Sequence, residues 1–74
     1  MSPDEKLIYM ANQIAGFFAS QGETRAVAGV ADHLIKFWEP HMRERLVALA
    51  QHSNDSLNAL VRKALPLVQS SLKS

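Results

Sequence analysis

The sequence has no cysteine. Disulfide staples, thiolate metal sites, iron–sulfur ligation and thiol catalysis are therefore excluded from this chain. Glycine and proline are scarce, at three each. No glycine-rich phosphate loop and no strained nucleophile elbow can be found among them. Neither sign of charge dominates: 8 Lys and Arg stand against 7 Asp and Glu, a formal charge of +1. Binding to nucleic acid or to a membrane surface through bulk charge is not expected from that balance. The longest uncharged run, Leu7 to Gly22, is sixteen residues, short of the roughly 20 that a membrane-spanning helix needs. A signal peptide is not expected either, because Asp4 and Glu5 outweigh Lys6 and no convincing cleavage site follows. The expectation from these absences is a soluble, cytoplasmic protein.

What is present is a chain of 74 residues, 47% of them hydrophobic, which is not a disordered composition. It reads as one domain over residues 1–74 with a thin core. At this size a core rarely supplies more than about 3–5 kcal/mol without a disulfide, a metal or a partner.

The most informative segment is Phe37-Trp38-Glu39-Pro40-His41-Met42-Arg43. The only tryptophan ends one helical pattern and Pro40 begins the next. Proline lacks a backbone N–H, suits the first turn of a helix, and disfavours the α conformation in the residue before it. The segment reads as a rigid Trp-Glu-Pro corner between two helices. Around it the periodicity predicts an all-α fold, a small irregular bundle of four short helices.

The first helix opens on Ser2-Pro3-Asp4-Glu5, a capping-box pattern with proline at the first helical position. Its inward stripe is Leu7, Ala11, Ile14 and Phe18, with Met10 and Phe17 extending the apolar arc on one side, Ile8 and Ala15 on the other. A helix apolar over most of its circumference is normally covered on more than one side. Ser20-Gln21-Gly22 breaks the pattern. The second helix runs from about Glu23 to Phe37, with Val27, Val30, Ala31 and Leu34 inward and His33 and Phe37 on its flank. The third starts at Pro40 and turns Met42, Leu46, Leu49 and Ala50 inward. Ser53-Asn54-Asp55-Ser56 is a loop, with Asp55 or Ser56 as the next cap. The fourth carries Leu57, Leu60, Val61, Ala64, Leu65, Val68 and Leu72 inward, and Pro66 falls on its polar side.

Chemistry on a substrate is hard to find. His33, His41 and His52 lack a ligating spacing, and no HExxH pattern occurs. The serines lie where caps, loops and a chain end explain them, and no two carboxylates can be placed in one cleft. Arg43, Arg45, Arg62 and Lys63 form at most a modest basic surface. The second helix, corner and third helix superficially resemble a helix-turn-helix, but the would-be recognition helix carries Glu44 and mostly apolar residues. Asn12 and Gln13 are either a solvated strip or amides that meet a partner's backbone across an apolar contact. Trp38 is either core or an interface anchor.

Two blocks carry a family resemblance: Met10-Ala11-Asn12-Gln13-Ile14-Ala15 with Phe17-Phe18, and Val30-Ala31-Asp32-His33-Leu34 through Phe37-Trp38-Glu39-Pro40-His41-Met42-Arg43. With the closing Leu60-Val61-Arg62-Lys63-Ala64-Leu65, they resemble the small delta subunit of the NAD-dependent, molybdenum- or tungsten-containing formate dehydrogenases of bacteria, over about Lys6 to Leu65. The family typically reads aspartate at Glu39, an arginine-like residue at His41, glycine around Asp55-Ser56 and proline near Ala59. The resemblance implies a noncatalytic accessory subunit that stabilises the complex or assists maturation of its catalytic subunit. It implies no cofactor in this chain. Partner subunits would carry bis-molybdopterin guanine dinucleotide, iron–sulfur clusters, FMN and NAD, with the catalytic alpha subunit as direct partner. Contacts are expected at Met10, Asn12, Gln13, Phe17, His33, Phe37, Trp38, Pro40 and Arg43. The alternative from a different class is a free-standing helical regulator or adaptor, DNA-binding or homodimeric.

Overall fold

Ser2 starts the fold as its sequence predicts. Its hydroxyl accepts the Glu5 N–H at 3.1 Å, while its own N–H donates to Glu5 Oε1 at 2.9 Å, closing the capping box. From there α1 runs over Pro3–Phe18 and passes through a 3-10 turn at Ala19–Gln21. Gly22 then adopts φ 89°, ψ 152°, a conformation essentially closed to other residues, and turns the chain into α2, Glu23–Phe37. After the corner come α3, Pro40–His52, and α4, Ala59–Leu72. The computed structural model describes residues 1–52 and 56–73. Among these there are four α-helices and no strand, the all-α bundle expected.

The largest interface joins α2 to α4, with α1 laid against α2 and α3 bridging α4 and α1. Leu34, Leu46, Val30, Val61 and Val68 are fully buried at its centre, each worth roughly 1.5–3 kcal/mol of transfer free energy. Small residues let the helices approach: Ala11, Ala15, Ala26 and Ala64 are all at 0% exposure. The innermost positions of α1 are thus Ala11 and Ala15, with Leu7, Ile8, Met10, Ile14 and Phe18 packed around them rather than at the centre. In α2, Ala26 is buried and Val27 only partly so. In α3, Leu46 alone is fully buried, with Met42, Val47 and Ala50 packed beside it.

The cap of α4 differs from the expectation. Of the two residues expected there, Asp55 lies outside the described residues, and the capping role falls to Asn58, whose side chain accepts the Leu60 N–H at 2.8 Å. Leu57 is buried but precedes the helix. The shift has a long-range cause. Asn12 of α1 donates to the Ser56 carbonyl at 2.7 Å and accepts the Asn58 N–H at 2.8 Å, which fixes where α4 begins. Pro66 lies within α4, on its exposed side as expected.

Candidate partner-binding surface

The corner is built as the proline dictates. Trp38 takes an extended conformation, φ −89°, ψ 140°, and its N–H still closes the last turn of α2 on Leu34 O at 3.0 Å. The Glu39 carbonyl then accepts the N–H groups of Met42 and Arg43, at 3.0 and 3.2 Å, which opens α3 with Pro40 as its first residue. This geometry turns the Trp38 ring inward, to 6% exposure, while the preceding Phe37 is left outside at 72%. Trp38 is therefore a core residue that also floors a surface groove.

That groove, of about 330 Å³, is lined by Met10, Gln13, Ile14, Phe17, His33 and Trp38. Phe17 stands at its edge with 77% exposure. Its ring meets Phe18 edge-on, centroids 5.2 Å apart. On the other wall the His33 ring lies 4.8 Å from Phe37. Phe17 and Phe37, both exposed, thus form an aromatic ridge with the half-buried His33 at the α1–α2 boundary. A second groove, of about 450 Å³, continues from Met10 toward the start of α1 and α3, walled by Pro3, Leu7, His41 and Met42 with Asp4, Lys6 and Arg45 at its rim. Met10 is common to both.

Polar side chains expected at a partner contact are placed unequally. Asn12 is half-buried and fully used within the chain by Ser56 and Asn58. Gln13 is exposed and donates to the Tyr9 hydroxyl at 2.9 Å. Arg43 is half-buried, donating from one guanidinium nitrogen to Ser71 Oγ at 3.0 Å, and its buried Nε has no partner among the described residues. Pro40 is exposed at the corner. Met10, Gln13, Phe17, His33 and Phe37 therefore come together on one face. Arg43 points toward α4, and Asn12 clamps the α4 entry.

Charge on this surface is largely internally matched. The Arg45 guanidinium grips Asp4 with two hydrogen bonds, 2.9 and 2.7 Å, and holds that carboxyl below its ordinary range. Hydrogen bonds from Ser2 do the same to Glu5. Lys63 pairs with Glu23 at 2.8 Å. Among the described residues no group of three His, Asp or Glu is positioned to hold a metal, and no helix is long and apolar enough to cross a membrane. The donors a molybdenum centre or an iron–sulfur cluster would need are not assembled on these residues.

Sequence patterning could find the apolar arc of α1 and the corner. It could not find that Phe37, rather than Trp38, faces outward, nor that Met10 sits where two grooves meet.

Comparison with protein families matches the chain to the family described as "NADH-dependant formate dehydrogenase delta subunit FdsD", over residues 6–65. No curated protein and no solved structure matches the chain. The matched span takes in α1 from Lys6 onward, α2, the corner, α3 and the first half of α4, and so includes the smaller groove with Phe17, His33 and Phe37, and the larger groove except for Pro3 and Asp4.

Proposed function

Because the chain belongs to the NADH-dependent formate dehydrogenase delta-subunit family, we propose that it is a noncatalytic accessory subunit of such a complex. It packs against the catalytic alpha subunit and stabilises the assembly, or supports its maturation with cofactor in place. The redox groups (bis-molybdopterin guanine dinucleotide, iron–sulfur clusters, FMN and NAD) belong to the other subunits, and the complex is cytoplasmic. The observation that carries this reading is the exposure of Phe17 and Phe37, with the half-buried His33, beside an apolar groove. Aromatic side chains in such a setting are typical anchors of protein interfaces. A 74-residue domain also gains stability by mass action when a partner covers it. The DNA-binding alternative is disfavoured by the internal pairing of Arg45 with Asp4 and of Lys63 with Glu23.

The test is co-expression of the other subunits with and without this chain, and with a Phe17→Ser/Phe37→Ser double variant. Omission should lower both the yield of complex and its molybdenum content, and the double variant should do the same while folding normally. Unchanged yield and unchanged activity per molybdenum after omission would refute the accessory role.

A further inference from the structure

The larger groove, about 450 Å³, opens between the first halves of α1 and α3 over an apolar floor of Leu7, Met10 and Met42. Four ionisable side chains stand around it: Asp4, Lys6, His41 and Arg45. Three are matched within the chain. Asp4 and Arg45 hold each other through two hydrogen bonds, and His41 Nδ1 lies 3.4 Å from Glu39 Oε2. Lys6 has no ion-pair partner among the described residues. The same bias runs through the chain as a whole. Asp4, Glu23, Asp32 and Glu39 are taken up in ion pairs, and Glu5 in the capping box. Among the described residues that leaves one acidic side chain without a partner, Glu44, against Lys6, Arg25, Arg62 and Lys73. Of these cations, Lys6 is the one that lines the apolar groove.

We propose, resting on the accessory role above, that this groove is filled by an acidic amphipathic segment of the catalytic subunit. An apolar side chain of that segment sits on Leu7, Met10 and Met42, and an Asp or Glu within one helical turn of it faces Lys6. Covering the floor removes apolar surface from water on both partners. It also lays the partner along the Lys6 stem and leaves the ammonium at the edge of the contact. There a carboxylate is attracted and a cation repelled, while an uncharged rim desolvates the ammonium with nothing in exchange. The Asp4–Arg45 fork favours neither sign, because its charges cancel. The smaller groove is lined by no Lys, Arg, Asp or Glu, so the preference for an acidic partner belongs to this end of α1.

The test uses the assembled complex. Photo-methionine, a diazirine isostere, at position 42 should cross-link to a partner peptide that carries an Asp or Glu within about four residues of the attachment point. Lys6→Glu should lower recovery of the complex about five- to tenfold. The free variant should melt as the parent does, since a glutamate suits the first turn of a helix. Arg62→Glu reverses an equally unpaired cation away from the groove and should leave recovery unchanged. Changing the facing carboxylate of the cross-linked peptide to lysine should restore recovery with Lys6→Glu and not with the parent chain. A cross-link to a second copy of this chain or to nothing, full recovery with Lys6→Glu, an equal loss with Arg62→Glu, or no restoration by the reversed pair would overturn the proposal. Each of those results is compatible with a fall in yield when the chain is omitted, so the co-expression experiment decides the accessory role separately.

Discussion

Arg45 holds both carboxylate oxygens of Asp4, through Nε at 2.9 Å and Nη2 at 2.7 Å, across 41 positions of sequence. This fork ties the first turn of α1 to the middle of α3 at the rim of the larger groove. An exposed pair contributes little stability at neutral pH, but its bidentate geometry gives the groove a fixed edge.

Acid should loosen that edge. The Asp4 carboxyl is lowered by its hydrogen bonds from Arg45, and Glu5 by those from Ser2. Both bind protons less readily in the folded chain than in the unfolded one. Their stabilisation is therefore complete at neutral pH and is lost as pH falls below about 4. The expected outcome is a melting temperature that drops between pH 5 and about 3, with a shallower drop for Asp4→Asn. Thermal melts by circular dichroism check it, and an identical acid slope for the variant would contradict the assignment.

Gly29 is a packing position. A Cβ there would stand 2.6 Å from Cδ1 and 2.7 Å from Cε1 of Phe18. Gly29→Ala should destabilise by about 1–3 kcal/mol through overpacking, despite the ~0.5–1 kcal/mol that alanine gains in a helix. In a Phe18→Ala background the same change should become neutral or favourable. Urea titration of the four chains of that cycle measures the coupling.

Asn12→Ala should cost about 1–3 kcal/mol, because it strips partners from the Ser56 carbonyl and the Asn58 N–H together. The loss is local to the α4 entry. Amide hydrogen exchange should therefore quicken at Asn58 first, and uniform quickening across all four helices would argue against the clamp.

The neighbours Phe37 and Trp38 should separate cleanly. Trp38→Ala empties a core site and should cost about 3–5 kcal/mol. Phe37→Ala should stay within about 0.5 kcal/mol of the parent in isolation and lower only the recovery of complex on co-expression. Chemical denaturation with parallel pull-downs distinguishes them.

The parts of this fold legible in the sequence are those set by neighbours along the chain. Ser2 and Glu5 encode the start of α1, Pro40 encodes the start of α3, and the spacing of Val61, Ala64, Leu65 and Val68 encodes the buried face of α4. Ala15 and Ala26 were harder to place at the centre because a methyl group adds little to a hydrophobic pattern. It is the close approach of helices, a tertiary property, that selects them. The cap at Asn58 was hidden for a related reason. Residues 53–58 include several side chains able to cap, and Asn12, 46 positions away, settles the choice. Of the candidate site, the apolar surplus of α1 was visible. The division of labour between Trp38 and Phe37 depends on the extended Trp38 backbone, and patterning does not carry that.

The Asn12 clamp and the α2–α4 interface also govern when the protein can exist at all. The last helix supplies the surface against which α2 closes, and the turn that leads into it supplies the partners that Asn12 requires. A nascent chain emerging from the ribosome thus holds the α4-facing side of α2 uncovered until α4 itself has been made. Completion of the core waits for α4, and a product cut short before Leu57 would keep the α4-facing side of α2 open, a substrate for chaperones and proteases rather than a smaller version of the same subunit.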